Sequence, residues 1–291
     1  VIGLDVILQS LLSGLFMGSV YALIAIGFTL VFGVTDIVNF AHGHLVMGAM
    51  FVTYLLFHVA RLDPYLSLVV VLPLFFGIGA LIYRLVICRI VEAPHSAHMM
   101  VTLGLLIFLE NLANLFFGGD LRGITTAYTT SSYLAGEIAV PLARAGAAAV
   151  SLGAVLVLAL FLRRTTLGKA LRAAANNREG AALVGIDVGR VYLVSFSLGT
   201  VAAALAGAVI VPFSLVSPFV GHEFMLKAFV IAVIGGLGSV GGALAGGLLI
   251  GLVEAMSSLW ISASLGNAIV FAILILVLLY RPWGIFGQAR V

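Results

Sequence analysis

Apolar runs of about twenty residues recur along the whole chain, and this constrains the fold more than any motif does. They cover 8–32, 41–60, 65–88, 98–117, 146–162, 191–212, 224–236, 240–259 and 266–280. An α-helix rises about 1.5 Å per residue, so a run of that length crosses the hydrocarbon of a bilayer. Charge is scarce to match: 9% of the 291 residues are Asp, Glu, Lys or Arg, where a soluble domain carries roughly a quarter. In lipid every backbone donor and acceptor must be paired inside the protein, which leaves helices or closed barrels. These runs are about twice a barrel strand in length and lack its in/out alternation. The expectation is an all-α, multi-pass transmembrane helical bundle of about eight to ten membrane segments.

The run 224–236 is too short to cross untilted, so it is expected to be re-entrant or to fuse with the next. Residues 1–10 carry Asp5 and no basic cluster. That is unlike a secretory signal, and the first span is expected to remain as an anchor. Cys88 is the single cysteine, so no internal disulfide is possible. The net charge of +3 comes from a few loops and implies no nucleic-acid partner.

Basic residues fix the orientation through the positive-inside rule. Arg84, Arg89, the run 163–190, Arg281 and Arg290 can all face the cytoplasm. The opposite face keeps Arg61, Arg122, Arg144 and Lys227, diluted by Asp5, Asp63, Asp120, Glu137 and Glu223. The Thr- and Ser-rich loop 118–145 is then external, and the loop 163–190 cytoplasmic.

Glycine is abundant, 34 in all, and its spacing is that of packing. Gly14, Gly18 and Ala22 are four apart, as are Gly238, Gly242 and Gly246, and the pair Gly247 and Gly251. Small residues so placed let two membrane helices approach backbone to backbone. Two stretches differ. The segment 33–44 sets Asp36, Asn39, His42 and His44 between two apolar runs, and 235–242 breaks another with glycines and Ser239. Broken helices at membrane depth line cavities, and paired breaks point to a substrate route between repeats. Asn39, Phe40, His42, Gly43, Gly236, Gly238, Ser239 and Gly242 are therefore the candidate pathway residues.

His42 and His44 are two apart, which puts them on different faces of a helix. No carboxylate or cysteine accompanies them in sequence, so no metal site is expected. Glu110 and Glu254 fall within or near spans and need a partner, water or an interfacial position. Lys227 is expected to snorkel to the outer edge.

The segment 163–190 is the charged island of the chain. Leu167, Leu171 and Ala174 recur at helical spacing, with Lys169 and Arg172 off that face. Asn176 with Glu179 three later reads as a capping box that starts a second short helix. Gly185 suits the left-handed residue that ends it, and Asp187 can cap the next span. A capped helix of small residues, ending in Ile186, fits a groove on a partner protein. The chain holds no G-x-x-x-x-G-K-[ST] phosphate loop, no nucleophile elbow and no His-Glu-x-x-His motif, so no catalytic machinery for ATP is visible.

The stretches Gly27–Val34 and Asn39–Gly43, the loop 168–187 and the glycine-rich 235–247 resemble branched-chain amino acid ATP-binding-cassette transporter permeases. The likeness spans nearly the whole chain, with three motifs in the family's order. Asn176–Asn177 stands where an acidic residue is usual, and Val240–Gly241 where a proline is common. The resemblance implies a single permease domain over 1–291, the shorter of two paired permeases, in a bacterial inner membrane. It implies a second homologous permease, two cytoplasmic ATPases carrying ATP and magnesium, and a periplasmic substrate-binding protein, with no cofactor in this chain. On this sequence the ATPase contact would fall on Arg178, Glu179, Ala181, Ala182, Gly185 and Ile186. A competing expectation is an ion-coupled secondary transporter or channel using Glu110, Glu254 and Asp36.

Overall fold

A computed structural model describes residues 3–135, 138–260, 263–281 and 283–287; Glu137 and Arg290 lie outside them. The described chain is a helical bundle: α1 (Leu4–Thr35), α2 (His42–Ala60), α3 (Pro64–Leu85), α4 (His95–Phe117), α5 (Leu142–Arg164), α6 (Thr166–Asn176), α7 (Arg178–Leu183), α8 (Val188–Ile210), α9 (Val220–Gly235), α10 (Val240–Trp260) and α11 (Ala263–Tyr280). Among the described residues seven helices are long and apolar enough to cross a membrane, namely α1 to α5, α8 and α10. The expected all-α membrane bundle is therefore what the chain forms, apart from a two-stranded hairpin, β1 (Ser132–Ala135) and β2 (Ile138–Pro141), between α4 and α5. α9 has 16 residues and is separated from α10 by Gly236–Ser239, so it does not fuse with it.

Burial sorts the helices. α1 is the central one, enclosed from Gly18 to Val31 and packed on α5, α8, α9 and α10. α8 is buried to a similar degree and packs on α1, α2 and α3. α4 is peripheral: Met100, Phe108, Leu115 and Phe116 are exposed. Apolar side chains directed outward are the surface a bilayer covers.

The tightest seam joins α1 to α10 through the glycines. A Cβ added at Gly14 would come within 2.8 Å of Ala255 Cβ, and one at Gly18 within 2.8 Å of the Gly247 carbonyl oxygen. At Gly247 and Gly251 it would strike the backbones of Ala22 and Gly18. The helices thus run antiparallel with backbones in contact, the arrangement small residues four apart allow. Gly79 does the same for α3 against Ser197 and Thr200 of α8.

Lines of basic residues gather at one end. Arg163 and Arg164 close α5, Arg84 lies in the last turn of α3, and the α6–α7 segment joins there. At the other end Tyr128 donates a 2.8 Å hydrogen bond to Asp63, and Arg122 and Val216 form an isolated bridge.

Candidate functional site

The first break is built around short-range hydrogen bonds. α1 ends where Asp36 takes a left-handed conformation, its N–H donating to the Phe32 carbonyl. Asn39 then folds back on itself, its Oδ1 accepting from the Ala41 N–H at 3.1 Å, the local turn Asn favours. α2 therefore starts beside the middle of α1: His42 Nε2 lies 3.0 Å from the Ile24 carbonyl oxygen. Gly43 meets the start of α9, where a Cβ would collide with Gly221 and Met225. Asn39, His42, Gly43 and His44 are all buried, and Phe40 is half-buried.

The second break turns α9 into α10. Gly236 and Gly238 have φ of 94° and 89°, a conformation that L side chains adopt at a cost. Ser239 Oγ accepts from the Gly242 N–H at 3.1 Å and so caps α10. Gly242 packs on Gly235, and Gly238 lies against Gly33. The two breaks meet through that last pair, while His42–His44 pack on the start of α9. Polar residues marked the first break and glycines the second, but Gly221, the true neighbour of the first, gave no signal beyond being a glycine.

Lys227 departs from expectation. It does not snorkel: the residue is 6% exposed, and its ammonium donates to Tyr21 Oη at 2.7 Å, Glu223 Oε1 at 2.7 Å and Glu254 Oε1 at 2.8 Å. Three acceptors satisfy the three N–H donors of the ammonium, which is what makes a buried lysine tolerable. Glu254 thereby has its partner in the bundle rather than at an interface. Tyr21, Glu254 and Arg144 also line a cavity of about 630 Å³ with Ser13, Met17 and Phe213, between α1, α5 and α10.

Glu110 likewise lies within the structure. Its Oε2 is 3.1 Å from His44 Nε2 and 2.5 Å from His222 Nε2. A carboxylate does accompany His44, contrary to the expectation from sequence, because α4 supplies it from 66 residues away.

At the basic end a second cavity, of about 600 Å³, is lined by Thr35, Asp36, Glu92, His98, Arg178 and Tyr192. The α6–α7 segment forms part of its wall. Thr165 caps α6, accepting from the Gly168 N–H at 2.9 Å, and Leu171 and Ala174 are its buried face. Asn177 caps α7, its Oδ1 accepting from the Gly180 N–H at 2.8 Å. The expected cap was Asn176, three before Glu179, but it ends α6 instead; either of two adjacent asparagines can cap, and it is the Asn177 side chain that reaches the Gly180 N–H. Gly185 is left-handed at φ 85°, and Asp187 Oδ1 accepts from the Arg190 N–H, so both outer boundaries fall where expected.

Within that segment Glu179, Ala182 and Gly185 are exposed, Ile186 is half-buried and Ala181 is turned inward. Arg178 pairs with Glu92 at 2.7 Å and stands over the Tyr192 ring. The largest apolar groups offered to the outside are Leu183 and Val184, 88% and 76% exposed, and the small-residue pattern had drawn attention away from them.

Buried charges enclosed by helices long and apolar enough to span a bilayer define a multi-pass membrane protein. The family profile described as "Branched-chain amino acid transport system / permease component" matches residues 10–278, and the chain belongs to that family. It is 34% identical to the high-affinity branched-chain amino acid transport system permease protein LivH of Salmonella typhimurium, over 98% of this chain and 96% of the relative. LivH of Escherichia coli K12 is 33% identical over the same shares, and BraD of Pseudomonas aeruginosa 30% over 98% and 97%. No solved structure matches the chain.

Proposed function

We propose that this chain is the permease subunit of an ATP-binding-cassette importer that carries branched-chain or closely related amino acids into a bacterial cell across the inner membrane. The observation that carries this reading is α7, a six-residue helix held by an asparagine cap at its start and a left-handed glycine just past its end, presenting Leu183 and Val184 outward. A connector in water has no need of two large exposed apolar residues on a fixed turn; a groove on a partner does. Its placement at the basic end makes it cytoplasmic by the positive-inside rule.

In this reading one of two ATPase subunits, holding ATP and magnesium, seats on α7 through Glu179, Ala182, Gly185, Leu183 and Val184, and the other on the matching loop of the partner permease. A second homologous permease completes the pathway, and a periplasmic substrate-binding protein delivers the amino acid to the end bearing the hairpin. Arg178, tied to Glu92 and Tyr192, links the docked helix to the wall of the inner cavity beside Asp36. ATPase movement is thereby passed to the first break, with Asn39, Phe40, His42 and Gly43, and through Gly33 and Gly238 to the second, with Gly236, Ser239 and Gly242. The cavities bordering α1 at Met17–Tyr21 and at Thr35–Asp36 are the outer and inner vestibules of the route.

Reconstitution of the chain with its partner permease, ATPases and binding protein in vesicles tests the reading. Substrate and binding protein together should stimulate ATP hydrolysis and uptake, and Glu179→Lys or Ala182→Trp should abolish both. Uptake that persists without ATPases under an ion gradient alone would overturn the reading in favour of a secondary transporter.

A further inference from the structure

The sequences at the starts of α2 and α9 share a detail. Each has Gly-His at its second and third positions, Gly43-His44 in α2 and Gly221-His222 in α9. The glycines let the two starts meet: a Cβ on Gly43 would strike the Gly221 carbonyl, and one on Gly221 would lie 2.8 Å from the His44 ring. Both histidines are consequently carried to the same side, with ring centroids 4.9 Å apart and planes at 87°. α4 runs past and places Glu110 between them. Nε2 of His44, Nε2 of His222 and Oε2 of Glu110 converge, and the ligand atoms of the trio all lie within 4.8 Å of one another.

We propose that His44, Glu110 and His222 bind a divalent transition-metal ion of the Zn²⁺ class. Two imidazoles with one carboxylate is a donor set zinc takes, with a fourth position left for water. Nitrogen donors select Zn²⁺, Co²⁺ or Ni²⁺ over Mg²⁺ and Ca²⁺, which prefer all-oxygen shells. Charge favours the same ligand. Glu110 has no Lys or Arg within ion-pair distance among the described residues, so with both rings neutral the trio carries a net negative charge inside the bundle. A divalent cation compensates it. The positive ends of α2 and α9 oppose a cation, but by only about fivefold each in affinity, against three direct ligand bonds. Entry is from the side of His222, whose side chain is 52% exposed while that of His44 is fully enclosed. The bound ion would cross-brace three helices at the joint between the two broken-helix starts.

Cobalt provides a direct readout. The full chain, purified in detergent on a tag free of histidine, is titrated with Co²⁺ alone and followed by visible ligand-field absorption. A saturable spectrum of a four-coordinate ion, at about one ion per chain and displaced by Zn²⁺, is expected. His222→Phe and Glu110→Gln should each weaken binding by roughly tenfold or more, whereas His58→Ala, on the exposed end of α2, should leave it unchanged. His222 is half-exposed, so its replacement leaves folding intact, checked by elution profile and by the unfolding temperature without metal. Absence of a saturable spectrum, or one that survives His222→Phe at equal affinity, would overturn the site and leave a hydrogen-bonded His–Glu–His network in its place. No transport measurement enters, so the outcome stands apart from the proposed import function.

Discussion

Lys227 of α9 and Glu254 of α10 form an ion pair of 2.8 Å inside the bundle, and Tyr21 of α1 accepts a second hydrogen bond from the same ammonium. Three helices are tied at one point. Removing one partner leaves the other buried and unpaired, a loss of about 3–5 kcal/mol. Lys227→Met should therefore lower the unfolding temperature sharply. The double substitution Lys227→Met with Glu254→Gln should recover part of that loss, because the stranded carboxylate is gone. Thermal unfolding in detergent across the double-mutant cycle checks this, and purely additive losses would contradict it.

The α1–α10 seam makes a contrast among glycines. Gly251→Leu drives a side chain into the Gly14 and Gly18 backbone and should cost about 3 kcal/mol or more. Gly153 and Gly104 meet nothing within 4 Å, so Gly153→Ala and Gly104→Ala should be neutral or slightly stabilising. Folded yield and unfolding temperature of the three variants decide it.

Adjacent asparagines give a sharper test of the proposed docking on α7. Asn177→Ala removes the cap of α7 and should cost that helix about 1 kcal/mol, seen as faster amide exchange at Gly180–Leu183 and weaker ATPase binding. Asn176→Ala, one residue earlier, should change neither. Leu183→Asp should abolish ATPase association while leaving the unfolding temperature in place, because the side chain touches little within its own chain.

Alkaline pH should loosen the segment between α4 and α5. Burial, and after it the hydrogen bond to Asp63, hold the Tyr128 hydroxyl above its ordinary range. A group whose pKa is raised by folding contributes stability that is complete below its unfolded value, about 10 for tyrosine, and that fades as pH rises beyond it. Proteolysis of the 118–141 segment should accelerate above that pH, and Tyr128→Phe should remove the part of the acceleration due to this residue.

Length and composition made the bundle legible because lipid leaves the backbone few options: the run 8–32 is the core of α1, and 98–117 is most of α4. The cap residues at Asp187 and Gly185 were readable because capping is local chemistry. What sequence could not supply were the contacts that close over long loops. Tyr21 and Lys227 are 206 positions apart, and neither hints at the other. Lys227 read as a snorkelling residue because its partners were not in view. His44 looked unaccompanied for the same reason, with Glu110 and His222 brought to it only by the packing of α4 and α9.

The α1–α10 seam has a mechanical consequence. Gly14, Gly18 and Ala22 face Ala255, Gly251 and Gly247 in that order, and each set repeats every four residues, a rise of about 6 Å. Each glycine of α1 sits between two small residues of α10, Gly14 between Ala255 and Gly251 and Gly18 between Gly251 and Gly247. Small residues alone therefore do not distinguish one register from the next. A slip of one turn would carry Tyr21 past Glu254 and strand the Lys227 ammonium that bonds both, so the ion cluster is the latch that holds the register.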